Sequence, residues 1–538
     1  MIRISFVSFV LVVSVALPGK AQQHVHPQSE RLGTVHFATS CTETAQPQFD
    51  RAVALLHSFE FGAAIKAFDD TLTGDPSCAM TQWGIALSRW GNPFAVGVRP
   101  AAQLQQGRAA VERARSIGAK TERERAYIEA IAELYDQPDR PQQARMEGYR
   151  DAMGQLSQRY RDDTEAAIFF ALSLTAAEDL NDKTYASRLR AVAILEPLFQ
   201  QQPEHPGLAH YIIHSYDVPP LASRALDAAQ RYAQIAPSAP HALHMPSHTF
   251  TRVGLWQQSI DTNIQSAAVA KEQKATGEEL HASDYQMYAF LQSAQDAAAK
   301  RLLDSLPEIA ARFDPRAISS AAPPSAGYYA IAAIPARFAL ERGAWAEAAR
   351  LEIRPSEIPY ADALTEFARV LGAARSGDIA AARAGVERLE ALRVREAALN
   401  EPYWTEQIRI ERESAAAWVA FAEGRRDEAL AQLRTAADAE DRTEKAAVTP
   451  GPLAPAREQL GEMLLEFGDN RGALAAFETT LTREPNRFRA TYGAARAAAR
   501  AGDSTAARKH FAELIRICAR ADEPGRAALQ EARASVTP

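Results

Sequence analysis

The residues of this chain that could do chemistry are its histidines, and they are unevenly placed. Residues 205–248 hold six of the twelve. Within that stretch His210 and His214 are four apart, as are His244 and His248, and a shift of 34 carries one pair onto the other. Residues four apart on a helix share a face, with Cβ atoms about 5–6 Å apart, so each pair can act as a two-toothed ligand. A period of 34 is one helix-turn-helix repeat, which would set the pairs at equivalent places on neighbouring helices. Packed helices lie about 8–10 Å apart, a gap that imidazoles from both sides can close around one ion.

The next stretch extends the set. Aligning Gly254 with Ala294 gives a shift of 40 that places His281 opposite His241, Asp284 opposite His244 and Tyr288 opposite His248. The expected ligands are therefore His210, His214, His241, His244, His248, His281 and Asp284, a mixed set that suits Zn(II), Cu(II) or Fe(II). Were the site catalytic, Asp284 or Glu204 is the candidate base. Pro246 works against the scheme, because proline disfavours helical geometry at Met245 and would leave His241 and His244 in a loop. Any one of these histidines, taken alone, reads more readily as a core residue bonded to a carbonyl or to a carboxylate such as Asp217. His57 does not share the repeat position and is read as a packing or capping residue. Glu178 and Asp179 could stand behind the ligands, although exposed helix-end acids are the plainer reading. Tyr211, Tyr216, Trp256 and Tyr285 could stack on a ligand, but at helical spacing they read as core.

The elements that must position these residues are helical hairpins. In QFDRAVALLHSFEFGAAIKAFDDTLTGDP, from Gln48, a first helix ends near His57 to Phe59. A second carries Ala64 and Phe68 inward and stops at Asp75-Pro76. Near the other end Gly468, Ala473, Phe477 and Leu481 recur 34 residues later as Gly502, Ala507, Phe511 and Ile515. The same Gly-x4-small spacing appears at Gly254–Ser259, Gly343–Ala348, Gly377–Ala382 and Gly424–Ala429. On these residues the chain resembles the tetratricopeptide repeat (TPR) superfamily from about residue 48 to 520. The resemblance implies an all-α, right-handed solenoid of roughly ten to twelve hairpins. The phrases LLHSFEF, CAMTQWGIALS, HPGLAHYIIHSYD, APHALHMPSHTFTRVG and TPGPLAPAREQLGEML further resemble a group of exported bacterial TPR proteins. That likeness implies a fold and a compartment, and no activity.

Two interruptions are expected. Residues 315–329, PRAISSAAPPSAGYY, read as a linker between an N-terminal block, 48–314, and a C-terminal block, 330–538. Residues 446–456, AAVTPGPLAPA, form a second break. Either could close over the inner surface as a lid, but a plain connector is the simpler expectation.

Residues 1–21 read as a secretory signal: Arg3, an apolar run from Ile4 to Leu17 too short for the ~20 residues of a spanning helix, then small residues Gly19 and Ala21. The arm 22–47 follows, with His24 and His26 in what reads as a loose terminus. No other stretch is apolar enough to span a bilayer. A formal net charge of −7 without a basic block argues against nucleic acid as a partner. Of three cysteines, Cys41 and Cys78 flank the first hairpin and could pair outside the cytoplasm, while Cys518 reads as a buried apolar residue. Phosphate-binding loops, HExxH and nucleophile elbows are missing.

The leading expectation is an exported scaffold that takes a protein, peptide or small-molecule ligand in its concave groove, with a histidine-lined metal site. The alternatives are a metal-dependent enzyme using the same histidines and a structural assembly protein of the envelope. Imidazole nitrogens converging on one point would favour a metal; histidines bonded singly to separate carbonyls would favour packing.

Overall fold

A computed structural model describes residues 30–95, 98–137, 139–317 and 321–536. The expected signal and His24 and His26 lie outside them. Among the described residues there is no strand, and consecutive helices pack against one another from Gln46 onward. This is the all-α solenoid of TPR-like hairpins that the spacing implies.

The local chemistry of each hairpin explains the spacing. Gly254, Gly343, Gly377, Gly424, Gly468 and Gly502 end first helices with φ between 65° and 87°, where a side chain would clash with its own backbone. The N–H that follows folds back onto the helix: Asp378 donates to Ala373 O, Asp469 to Leu464 O and Asp503 to Ala498 O, each at 2.9 Å. The same aspartates then cap the second helices, accepting from Ala381, Gly472 and Ala506 N–H. One Gly-Asp pair thus stops one helix and starts the next. In the hairpin aligned at a shift of 40, Ala294 takes the turn position with φ 54°. The small residue five places on is buried in every case, and aromatics fill the gaps it leaves. Phe477 lies so close to Gly461 and Gly493 that a Cβ on either would fall within 2.9 Å of its ring.

The two interruptions differ from expectation. Helix Pro324–Glu341 begins inside the span read as a linker, because a proline in the first turn surrenders no hydrogen bond and presets φ. The stretch also fails to separate two cores. Trp256, Leu280, Met287 and Leu291 pack with Ala330, Ile334 and Phe338 across it, and Arg31–Pro538 form one compact unit. The second break is no plain connector either. Between helices Arg426–Arg442 and Ala456–Glu466 the chain crosses the inner wall, and Arg337 donates to Thr449 Oγ1 and to the carbonyls of Gly451 and Pro452.

The described part of the N-terminal arm is irregular, as read, but it is anchored. Phe37 is fully buried, Thr34 N–H donates to Glu204 O at 2.9 Å, and Cys41 is disulfide-bonded to Cys78.

Candidate metal centre

Three successive inner-wall segments carry the histidines: helix Pro206–Tyr216, the pair Pro240–His244 and Pro246–Arg252, and helix Thr276–Gln292. Pro246 does not break the middle one. Met245 keeps helical geometry, φ −53° and ψ −36°, and its N–H still bonds His241 O at 2.9 Å. The bias against helix before proline is overcome here by packing on both sides, so His241, His244 and His248 stay on one rod.

The rings gather in two sets of three. His210 and His214 from the first segment join His241 from the second; His244 and His248 from the second join His281 from the third. Within each set, one ring nitrogen per residue lies within 4.8 Å of the others. The sets adjoin, with ring centroids 5.7 Å apart between His214 and His248 and 5.9 Å between His241 and His244. None of the six residues is more than 5% exposed. The two HxxxH pairs thus fall in different groups of rings. Each pair takes its third imidazole from the start of the next segment, and the arrangement repeats one hairpin further on.

Hydrogen bonds behind the rings fix which nitrogen faces inward. His210 Nδ1–H donates to the His57 carbonyl at 2.7 Å, and His241 Nδ1 meets Glu278 Oε1 at 3.0 Å. His248 Nδ1 meets Asp217 Oδ2 at 2.9 Å. His244 Nδ1 meets Asn263 Oδ1 at 2.7 Å, and Asn263 is oriented because its NH2 group donates to Ser259 O. Each of these partners accepts, so each Nδ1 holds the proton and each Nε2 is a bare lone pair. His210, His214 and His241 Nε2 and His281 Nδ1 are buried with no hydrogen-bond partner. Burying an unsatisfied polar atom costs about 1–3 kcal/mol.

The second set goes further. His244 Nε2 and His248 Nε2 face one another at 3.1 Å. With both protons committed to Nδ1, two lone pairs oppose each other there, and a shared proton is disfavoured because burial holds both rings below the ordinary imidazole range. Two nitrogens each about 2.0–2.1 Å from one tetrahedral ion would stand roughly 3.3 Å apart.

Charge around the sets is arranged to keep the imidazoles neutral. Burial lowers His210, His214, His241 and His281 well below the usual value, and neighbouring rings add to it. Burial alone would raise the Asp217 carboxyl, but Lys445 and Arg252 hold it well below the carboxylate range. Asp217 meets Arg252 at 2.8 Å and Lys445 at 3.2 Å, and burial brings the Lys445 ammonium down to about 8. Lys445 comes from the 443–455 crossing, which also receives the Tyr285 hydroxyl on Thr449 O at 3.0 Å. Aromatic rings seal the rest: Phe94 stacks on His214 at 4.0 Å, and Phe59 meets His210 edge-on at 4.3 Å.

Of the expected ligands, only Asp284 is elsewhere. The third segment meets the second three residues out of the expected register, with His281 against His244 at 4.3 Å and Tyr285 against His248 at 5.1 Å. Asp284 is taken by Arg337 of the next wall helix, at 2.8 and 3.3 Å to its two carboxylate oxygens. Glu204, the other candidate base, is an exposed residue before the first wall helix. His57 touches the site through its carbonyl, while its ring and that of His205 meet the two oxygens of Glu165, each at 2.9 Å. Those two rings and Glu165 also cluster closely enough to hold an ion, yet the carboxylate already has both imidazoles as partners. Glu178 reaches the site only through Arg188, which donates to the His214 carbonyl at 2.8 Å. Tyr211, Tyr216, Trp256 and Tyr285 are all buried.

Stacked two-helix repeats whose turns and small-residue contacts recur at 34 define a class of helical-repeat solenoid. Residues 459–522, which contain Gly468–Phe477 and Gly502–Phe511, match the tetratricopeptide repeat family model. No curated protein matches the sequence. A solved structure described as "Crystal structure of APC/C hetero-tetramer Cut9-Hcn1" aligns over 92% of this chain and 96% of that chain, with 11% identity and a TM-score of 0.26.

Proposed function

We propose that this TPR protein is exported and that its inner wall holds a transition metal on the clustered histidines. The observation that carries the reading is the pair of opposed Nε2 lone pairs of His244 and His248 at 3.1 Å. Packing histidines would be paired off with separate acceptors on every polar atom; these leave their inward nitrogens for a cation. Zinc, copper and iron are the ions such a set suits, and all-nitrogen donors favour zinc or copper over iron. Export is supported by the Cys41–Cys78 bond, a pairing that persists in oxidising compartments.

The test is elemental analysis of untagged protein, beside a His210→Ala, His244→Ala double variant. At least one zinc, copper or iron ion per chain, lost in the variant, is the expected result. Metal-free protein that stays metal-free after incubation with each ion would overturn it. Fractionation of cells should find the chain, shortened by its first residues, outside the cytoplasm.

A metal-dependent catalyst is the second reading, favoured by a cleft beside the centre. Its walls include Tyr329, Tyr360, Trp404, Glu411 and Glu440, and Arg252 and Lys445 connect it to Asp217. A small ligand there would sit two side chains away from the His248 ring, through Arg252 or Lys445 and then Asp217. In either reading the groove serves a ligand of modest size, since the crossing at 443–455 covers the wall that a long peptide would need.

A further inference from the structure

The internal repetition of the histidine sets goes beyond a single ion. Set one is an HxxxH pair plus a histidine from the start of the next segment, and set two is the same figure one hairpin on. His210 and His214 map onto His244 and His248 at a shift of 34, and His241 onto His281 at 40. Each set contains three imidazoles and no carboxylate or thiolate, and Glu278 and Asp217 sit behind rings, not among the inward nitrogens. Three nitrogen donors leave one position open on a four-coordinate ion. Two such sites share a wall, because His241 and His244 are one turn apart on the same rod.

From this juxtaposition we infer that the six histidines form a dinuclear centre, two adjacent copper ions each held by three imidazoles. The inference rests on the metal reading above and adds the number, the adjacency and the element. Copper is the element because divalent affinity at a nitrogen site peaks there, and because neither set offers the carboxylates that harder ions require. Phe59 packs on the rings of the first set and Tyr285 on those of the second, and with one position open on each of two adjacent ions a small bridging ligand is the kind of molecule the pair would take. Where the repetition stops, it stops chemically: the third segment has Asp284 in place of a histidine, and Arg337 neutralises it.

The experiment strips full-length mature protein with a chelator, reloads it with Cu(II) or, separately, Zn(II), removes free ion and measures metal per chain. Two coppers per chain are expected. His210→Asn/His214→Asn and His244→Asn/His248→Asn, which keep a polar side chain at each site, should each retain one. Circular dichroism establishes that both fold, and single His214→Gln and His281→Gln variants serve if either pair does not. Electron paramagnetic resonance reads the adjacency: the wild type should show fewer than two isolated Cu(II) spins per chain, and each one-copper variant one ordinary isolated spin. One copper in the wild type, unaffected by the His210/His214 change, would overturn the dinuclear centre while leaving the metal reading intact. Two copper spins that behave as isolated would overturn the adjacency, and filling by zinc with no copper uptake would overturn the element. No metal under any loading would sink the broader reading itself.

Discussion

Asp217 is the residue on which the second histidine set depends most directly. It fixes the His248 tautomer, and it is the shared counter-ion of Arg252 and Lys445. Asp217→Asn removes that charge and lets the amide present either face to the ring. Partners behind metal ligands typically contribute 10–100-fold in affinity, so metal binding in this variant, measured by chelator competition, should weaken by about that factor. An unchanged affinity would mean that His248 is no ligand. Two carboxyls in the neighbouring cleft give a pH signature. Burial pushes both Glu411 and Glu440 up to about 8, and Glu411 also feels the charge of Glu440. Unfolded, they ionise near 4.5, so the fold binds extra protons between 4.5 and 8. Their contribution is fully present below that window and is lost as pH rises through it. The buried imidazoles run the other way, since their depressed affinities cost stability only below their ordinary value of 6.5. Between pH 6.5 and 8, above the imidazole window and below the one in which the depressed Lys445 acts, the carboxyls should therefore dominate: the melting temperature of the metal-free protein should fall with pH, and Glu411→Gln should flatten the fall. A parallel slope in the variant would remove Glu411 as its source.

At the scale of elements, the hairpins were legible and their mutual contacts were not. Gly468-Asp469 and Gly502-Asp503 announce a helix end and a cap in adjacent residues, and the periodicity of 34 follows from local chemistry that any one repeat displays. The same periodicity set the two HxxxH pairs on neighbouring segments, and the rings of His210, His214, His241, His244, His248 and His281 lie close together in two groups. What it could not reach were partners supplied by other turns of the solenoid: the His57 carbonyl on His210, 153 positions away, and Lys445 on Asp217, 228 away. Asp284 was misplaced because register within a helix says nothing of which cation the next helix presents. The 443–455 crossing was misread because a Pro- and Ala-rich stretch looks the same whether it meets solvent or a wall. Two substitutions probe these contacts. A Cβ on Gly207 would lie 2.4 Å from the His57 ring. Gly207→Ala should therefore overpack the junction, lower stability by about 1–3 kcal/mol in denaturant titration, and loosen the carbonyl that orients His210. Arg337→Ala strips the crossing of its main donor and leaves Asp284 buried without a partner, a change that typically costs about 3–5 kcal/mol. If Arg337→Ala melts like the wild type, the crossing is not anchored as described.

For the molecule as a whole, the decisive feature is that no block of repeats owns the site. The histidines belong to residues 210–281, yet Lys445 and Thr449 complete their surroundings, Trp256 bonds the carbonyl of Asn486 at 2.8 Å, and Arg526 pairs with Asp296. The solenoid returns on itself, so its two ends hold the middle from both sides. A linear array of repeats can unfold piecemeal, each unit leaning only on its neighbours. Here contacts between distant repeats should join the units into one cooperative transition. Metal bound at 100 times its dissociation constant adds about 2.7 kcal/mol to the folded state. If the chain melts as one body, that increment should move the entire calorimetric transition upward without splitting it. If the blocks melt separately, only one component should shift and the other should stay at its metal-free temperature. The same calorimetry on Cys41→Ser/Cys78→Ser should show a loss of about 2–4 kcal/mol, since the bridge closes a loop of 37 residues in the unfolded chain. In a cooperative molecule that loss lowers the whole transition, histidine centre included, although the disulfide lies far from it in sequence. Melting of the N-terminal hairpin alone would refute the single body and confine the disulfide's effect to its own repeat.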